Sequence, residues 1–206
     1  MEKTTTIFWD LGGVVLTNAW DHEQRVKVLN EFDITSEEHL NEFSDRHREV
    51  AASFESGKFS LPDYLNLTLF GMPKVFTHDQ FKEKMFEQSK ALPGLEVLKQ
   101  VSASGKYFLA SLNNESLELN EHRIKHFKLG DHLDAFFSSC YLNLMKPNPE
   151  IYQAALNIAH RKASECLFID DRAQNVESAR RCGLNAIHYR DPEQLRKELD
   201  QFGVSI

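Results

Sequence analysis

Cysteine is scarce in this chain, and basic residues are outnumbered. The three thiols, Cys140, Cys166 and Cys182, are an odd number with none of the close paired spacings by which cysteines hold zinc. Two of them sit in apolar, strand-like surroundings. Buried free thiols in a reducing compartment are therefore expected, rather than a disulfide framework. Lysine and arginine number 24 against 31 aspartates and glutamates, a formal net charge of −7. That balance speaks against the basic face a nucleic acid requires, and the pairs Arg161-Lys162 and Arg180-Arg181 read as solvated helix ends. No apolar run is long enough to span a bilayer. The stretch Met1-Glu2-Lys3-Thr4 lacks the apolar core of a secretory leader. A cytoplasmic protein without membrane or nucleic-acid partners is the expectation. Internal repeats and low-complexity segments are absent too.

What the chain does have is a change of pattern near residue 92. Thr5 to Asp10 reads as a buried strand. From Asn18 to Lys90 no strand is evident, and helices are expected around Asp21–Asn30, Ser36–Ala52, Ser60–Phe70 and Thr77–Ser89. Ser60 is a candidate N-cap, and Thr77 with Gln80 has the capping-box spacing. After Leu92-Pro93-Gly94, helix and strand alternate. Helices are expected at Leu95–Ala103, Leu117–Phe127, Pro149–Ala159, Ala173–Cys182 and Glu193–Phe202. Strands are expected at Tyr107–Ser111, Ala135–Ser139, Cys166–Ile169 and Asn185–His188. Asn148-Pro149 marks one helix start and Gly183 one helix end. Strands spaced by helices imply an α/β class with a parallel, Rossmann-like sheet. The expected division is a catalytic core of residues 1–17 and 91–206 with an all-helical cap, residues 18–90, inserted after the first strand.

In an open α/β sheet, ligands bind beyond the carboxyl ends of the strands. Polar residues stand at four such ends here. The apolar Ile7-Phe8-Trp9 runs into Asp10, followed at once by Gly12 and Gly13. Tyr107–Ser111 leads into Leu112-Asn113-Asn114. The loop after the third strand carries Lys146-Pro147, and Leu167-Phe168-Ile169 ends on Asp170-Asp171. Singly, each has an ordinary explanation: a turn, a helix start, a surface charge, a cap. Together they supply a carboxylate nucleophile, a hydroxyl, an ammonium and an acidic pair that repels itself unless a cation intervenes. Phosphoryl transfer through an aspartyl intermediate needs this set. Asp10 is the expected nucleophile, Ser111 the oxygen-binding hydroxyl, Lys146 the counter-charge and Asp171, with Asp170, the metal-binding acid.

These residues resemble the four motifs of the haloacid dehalogenase superfamily: DLGGVV, SLNN, the lysine of LMKPNPEIY, and FIDDRAQN. ALPGLEVL and ESARRCGL fit the same style, so the likeness runs nearly the length of the chain. The whole is most similar to the branch holding bacterial α-glucose-1-phosphate phosphatases and the phosphatase domain of soluble epoxide hydrolase. The resemblance implies a Rossmann-like core, a helical cap, and Mg²⁺ held by Asp10, the Gly12 carbonyl, Asp171 and Asp170. It also implies a phosphorylated small-molecule substrate, a sugar phosphate foremost, bound by Ser111, Leu112 and Lys146. A 2-haloacid dehalogenase and a weakened phosphate-ligand binder are the alternatives.

One position departs from the family pattern. Gly12 stands where a second aspartate usually protonates the leaving group. Either the leaving group must be a good one, such as an anomeric or aryl oxygen, or the cap must supply a donor. Asn18, His22 and Glu55 are candidates for that donor. Trp20 and Phe54 are candidate substrate walls or cap core by position. His122 and His126 share a helix face and read as surface residues.

Overall fold

The computed structural model describes residues 3–72 and 76–205. Residues 1, 2, 73–75 and 206, which the expected division includes, lie outside the described residues. Five strands form one parallel sheet: β1 (Thr6–Trp9), β2 (Phe108–Ser111), β3 (Ala135–Phe136), β4 (Cys166–Asp170) and β5 (Asn185–His188), in the order β3-β2-β1-β4-β5. The chain moves from β1 to one side and later to the other, so the sheet switches direction between β1 and β4. A crevice opens at that point beyond the carboxyl ends.

Both sheet faces are covered, which is why the strands read as nearly continuous apolar runs. Ile7, Trp9 and Ile169 pack against α5 (Gly94–Ala103) and α10 (Pro192–Gln201) through Val97, Leu98, Leu195 and Leu199. Phe8, Ala110 and Phe168 pack on the opposite face against α8 (Pro149–Ala159) and α9 (Ala173–Arg181). A third apolar cluster lies away from the sheet. It joins α1 (His22–Glu31), α2 (Glu37–Glu55), α3 (Leu61–Thr68) and α4 (His78–Phe86), and takes in Leu119 of α6 (Leu117–His126).

The local signals act as their chemistry dictates. Thr77 and Gln80 form a reciprocal capping box, and Ser60 forms another with Asp63. The Asn148 side chain accepts from the Glu150 N–H, with Pro149 opening α8. Gly183 follows α9 at φ 89°. The third strand differs from expectation. Only Ala135 and Phe136 pair with β2, and Ser139–Leu142 forms a short helix, α7. Serine bonding replaces the ladder there: Ser138 Oγ donates to Asn113 Oδ1 at 2.9 Å, and the Ser139 N–H donates to the Asn113 carbonyl at 2.9 Å. Cys140 therefore sits on a helix rather than a strand. All three thiols are free, Cys140 and Cys166 buried and Cys182 half-buried.

Two connections link the sheet to α1–α4, and they pair with each other. The Thr17 N–H donates to the Lys90 carbonyl at 2.9 Å, and the Leu92 N–H to the Val15 carbonyl at 2.9 Å. Arg123 of α6 holds both connections from beneath. Its Nε donates to Ser89 Oγ at 3.1 Å and its Nη2 to the Thr17 carbonyl at 2.7 Å, while Nη1 pairs with Glu115 at 2.8 Å. The guanidinium is buried and fully engaged, so removing it strands the buried Glu115 charge. Arg123→Ala is expected to lower the unfolding free energy by about 3–5 kcal/mol, read from urea denaturation. A loss under 1 kcal/mol would make this clasp incidental.

Candidate active site

The carboxyl ends of β1 and β4 converge on one buried ammonium. Lys146 Nζ lies 2.9 Å from Asp10 Oδ1 and 2.6 Å from Asp170 Oδ2. It also stands 5.3 Å from the centroid of the Phe168 ring, whose face favours a cation. The loop that presents it is clamped at the backbone: Asn114 Oδ1 accepts from the Lys146 N–H and Asn114 Nδ2 donates to its carbonyl, both at 2.9 Å. Asp170 is saturated by the chain. Besides Lys146 it accepts from the Arg172 N–H at 2.7 Å, and from Asn175 Nδ2 on both oxygens at 3.1 and 3.0 Å.

Asp10 and Asp171 are left with open valences. Both protein donors to Asp10, the Leu11 N–H at 2.8 Å and Lys146, engage Oδ1. Among the described residues Oδ2 accepts nothing. Asp171 Oδ1 is buried without a hydrogen-bond partner. One oxygen each from Asp10, Asp170 and Asp171 lies within 4.8 Å of the others. Three carboxylates against one ammonium leave an excess of negative charge. Burial pushes the Asp10 carboxyl up to about 8; Lys146 pulls the other way, and Asp170 and Asp171 add to the rise. Asp171 is raised by burial and then by Asp170. For Lys146, burial lowers the value but the two carboxylates outweigh it and hold it above the ordinary lysine range. A hard divalent cation fits this donor set. Asp10 Oδ2 and Asp171 Oδ1 would face it directly, and Asp170, already occupied by Lys146 and Asn175, would stand behind them.

The two glycines after Asp10 have separate reasons. Gly13 has φ 75°, and a Cβ there would meet Asp171 Oδ2 at 2.1 Å. Its missing side chain is the space Asp171 occupies. A Cβ on Gly12 would meet Asn18 Oδ1 at 2.4 Å. Among the described residues, no N–H is bonded to the Gly12 carbonyl.

A cavity of about 90 Å³ opens over this cluster. Asp10, Gly12, Asn114 and Lys146 line it from the sheet side, and Asn18, Trp20 and Glu55 from the helical side, with Arg172 at its edge. A larger open groove of about 670 Å³ runs along the outside of α1, past His22 and Lys27. It gathers no comparable set of reactive groups.

The expected residues do not all arrive in this cavity. Ser111 is fully buried, its Oγ has no hydrogen-bond partner, and it is absent from the lining. Strand alternation explains this. Trp9, its neighbour in register, packs on one sheet face, while Phe8, Ala110 and Leu112 pack on the other. The Leu112 N–H already donates to the Trp9 carbonyl at 2.8 Å. Asn114, three residues on, is what the loop delivers. Phe54 stacks on Tyr64 at 4.1 Å in the helical cluster and does not reach the cavity; Trp20 does, with its Nε1 tied to the Tyr64 hydroxyl at 3.0 Å. His22 faces the outer groove. His122 and His126 stack on each other at 5.1 Å. Asn114, Glu115, Arg172 and Asn175 escaped the sequence reading as site residues. The signals for two of them were the second asparagine after the strand, Asn114, and the asparagine closing FIDDRAQN, Asn175.

The chain belongs to the haloacid dehalogenase-like hydrolase family, which it matches over residues 4–183. It is 27% identical over 161 residues to flavin mononucleotide hydrolase 1 of Arabidopsis thaliana, a match covering 78% of this chain and 65% of that protein. It is 34% identical over 74 residues to bifunctional epoxide hydrolase 2 of Rattus norvegicus, covering 36% of this chain and 13% of the other. A HAD family enzyme of Bacteroides thetaiotaomicron superposes with a TM-score of 0.81 at 19% identity, covering 96% of this chain and 99% of that one. That enzyme has also been crystallised with magnesium and inorganic phosphate, in a form that superposes at 0.75 with 19% identity over 92% of this chain and 96% of its own. The chain thus belongs to a family of hydrolases and shares its fold with an enzyme crystallised with magnesium, and it spans less than two thirds of the length of these two curated relatives.

The Gly13–Asp171 contact gives a direct test. Gly13→Ala forces both a strained backbone and a collision, and is expected to cost about 1–3 kcal/mol for the strain plus the displacement of Asp171. In an Asp171→Ala background the collision disappears and only the strain remains. A double-mutant cycle in thermal or urea unfolding should therefore show a coupling of at least about 0.5 kcal/mol. Strict additivity would place Asp171 elsewhere.

Proposed function

We propose that this hydrolase cleaves small organic phosphate monoesters, sugar phosphates foremost, through a phosphorylated Asp10. The observation that carries the reading is the pairing of two open carboxylate oxygens, Asp10 Oδ2 and buried Asp171 Oδ1, around a cluster that one lysine leaves negative. A dianionic phosphoryl group cannot approach such a cluster unaided. Mg²⁺, when bound by Asp10, the Gly12 carbonyl and Asp171, supplies charge neutralisation for the phosphoryl oxygens. The chain's own residues do the rest. Asp10 attacks phosphorus through the carboxylate oxygen that the cation does not take. Lys146 pulls the Asp10 carboxyl toward its ionised form against the burial that raises it, and offers its ammonium to a phosphoryl oxygen. Asp170 and Asn175 hold Lys146 in place, and Asn114 fixes the loop that carries it.

Flavin mononucleotide, named in one relative, is itself a phosphate monoester. The cavity here has room for little more than a phosphoryl group, since sites for drug-sized ligands run to several hundred Å³. This supports a short leaving group, or one that extends outward past Trp20 and Arg172. In this reading residues 18–90 act as a cap over a core of residues 1–17 and 91–206, and the paired connections braced by Arg123 are the joint between them.

A phosphatase screen over sugar phosphates, nucleotides and small organic phosphates, with and without Mg²⁺, tests this. Turnover is expected with magnesium and not in excess EDTA. Asp10→Asn should abolish it, because an amide cannot form the acyl phosphate. Asp171→Ala should raise the magnesium requirement sharply, and Lys146→Ala should lose inhibition by inorganic phosphate. Full activity in EDTA, or halide release from 2-haloacids in place of phosphate release, would overturn the reading.

A further inference from the structure

With glycine at residue 12, the chain beside Asp10 carries no acid to protonate the leaving oxygen. We infer that Glu55, at the end of α2, performs that proton transfer, and that the site is therefore completed only when the helical segment is docked on the sheet. This rests on the phosphatase reading.

Three observations carry it. First, Glu55 lines the same cavity as Asp10 and Lys146, from the opposite side. Second, its position is built. Ser139 Oγ donates to the Glu55 carbonyl at 2.5 Å, and Asn143 Nδ2 donates to the Ser56 carbonyl at 2.9 Å. Gly57, at φ 72°, lets the Cys140 carbonyl approach to 2.4 Å from where a Cβ would be. All three partners belong to α7 or the residue after it, so α7 is the dock for the end of α2. Third, the carboxyl has no assigned work. Among the described residues it accepts no hydrogen bond and forms no ion pair, although it is only partly exposed. The space beside Asp10 where an acid at residue 12 would project is filled by the Asn18 amide, which cannot give up a proton.

The electrostatics agree. Burial, and then the Glu115 carboxylate, push Glu55 up to about 7, while Arg172 and Arg25 pull it down and Asp21 adds to the rise. A carboxyl poised there is divided between its protonated and ionised forms at neutral pH, so it can give a proton and take one back, as general acid–base work requires. In the first step an Asp10 oxygen bonds to phosphorus and the bond from phosphorus to the ester oxygen breaks. The ester oxygen keeps the electron pair and receives the Glu55 proton, and the alcohol departs. In the second step water gives a proton to the Glu55 carboxylate as its oxygen bonds to phosphorus. The bond to Asp10 breaks with its pair returned to the carboxylate, and inorganic phosphate leaves with Glu55 again protonated.

The test compares 4-nitrophenyl phosphate, whose leaving oxygen needs no proton, with glycerol phosphate, whose leaving oxygen does. Glu55→Gln keeps the shape and removes the acid. It is expected to lower kcat/KM, which reports the first step, by about 10²–10⁴ for glycerol phosphate and by less than about tenfold for the aryl ester, while kcat, which includes the shared second step, falls for both. In the parent, kcat/KM for glycerol phosphate should fall as pH rises through Glu55's range, and kcat/KM for the aryl ester should not. That profile needs no variant to fold. Gly12→Asp with Asn18→Ala, added to Glu55→Gln, should restore part of the alkyl activity by returning an acid to residue 12. Equal losses of kcat/KM on both esters, or an alkyl profile without that limb, would overturn the role of Glu55 alone. A parent that hydrolyses neither ester would overturn the phosphatase reading, and this inference with it.

Discussion

The site depends on one ammonium placed between two carboxylates in a nearly dry setting. Lys146 is almost fully enclosed, with Asp10 and Asp170 both within hydrogen-bonding distance. Burying such a group carries a heavy desolvation cost, and an ion triad of this kind is seldom the most stable way to fill space. Its surroundings are accordingly specialised for holding it. Asn114 fixes the backbone on either side of the lysine, Asn175 bonds both oxygens of Asp170, and the Phe168 ring lies close to the charge. The lysine divides the carboxylates into two kinds. Asp170 is spent on the chain. Asp10 and Asp171 keep oxygens that no described residue bonds, and this is the donor set on which the proposed cation site rests.

A second constraint is that the cavity has two walls from distant parts of the sequence. One wall comes from strand ends and the loops after them, the other from Asn18, Trp20 and Glu55. Two sets of contacts hold these walls together. Arg123 grips both connections at Thr17 and Ser89, and α7 receives the end of α2. The helical side is itself stiffened by a buried polar chain: His47 Nδ1 lies 2.8 Å from the Tyr64 hydroxyl, which also takes the Trp20 N–H. Burial, with Arg25 nearby, lowers His47 to about 4, so this chain stays neutral and does not compete for the anionic substrate proposed here. Trp20 is thereby held at the cavity wall, while Phe54 is drawn into the helical core.

Much of this was legible in the sequence, because its causes are local. Alternating apolar strands and helices announce a parallel sheet covered on both faces, and Ser60, Thr77 and Asn148 mark helix starts through bonds that reach only two or three residues. Asp10, Lys146 and Asp170-Asp171 could be named as a set because an open parallel sheet brings its carboxyl ends to one edge whatever the loops do. What the sequence could not decide was direction and partnership. Whether Ser111 or Asn114 enters the cavity turns on which sheet face each side chain takes, and that is set by the register of β2 against β1. Which acid of the adjacent pair remains free depends on Asn175 and Lys146 having already claimed Asp170. That Gly13 makes room for Asp171, that Gly12 faces Asn18, and that Glu55 lies across from Asp10 are contacts between residues far apart in the chain. Only the packed tertiary structure determines them, since they arise from close approach across elements and leave no periodic trace along the chain.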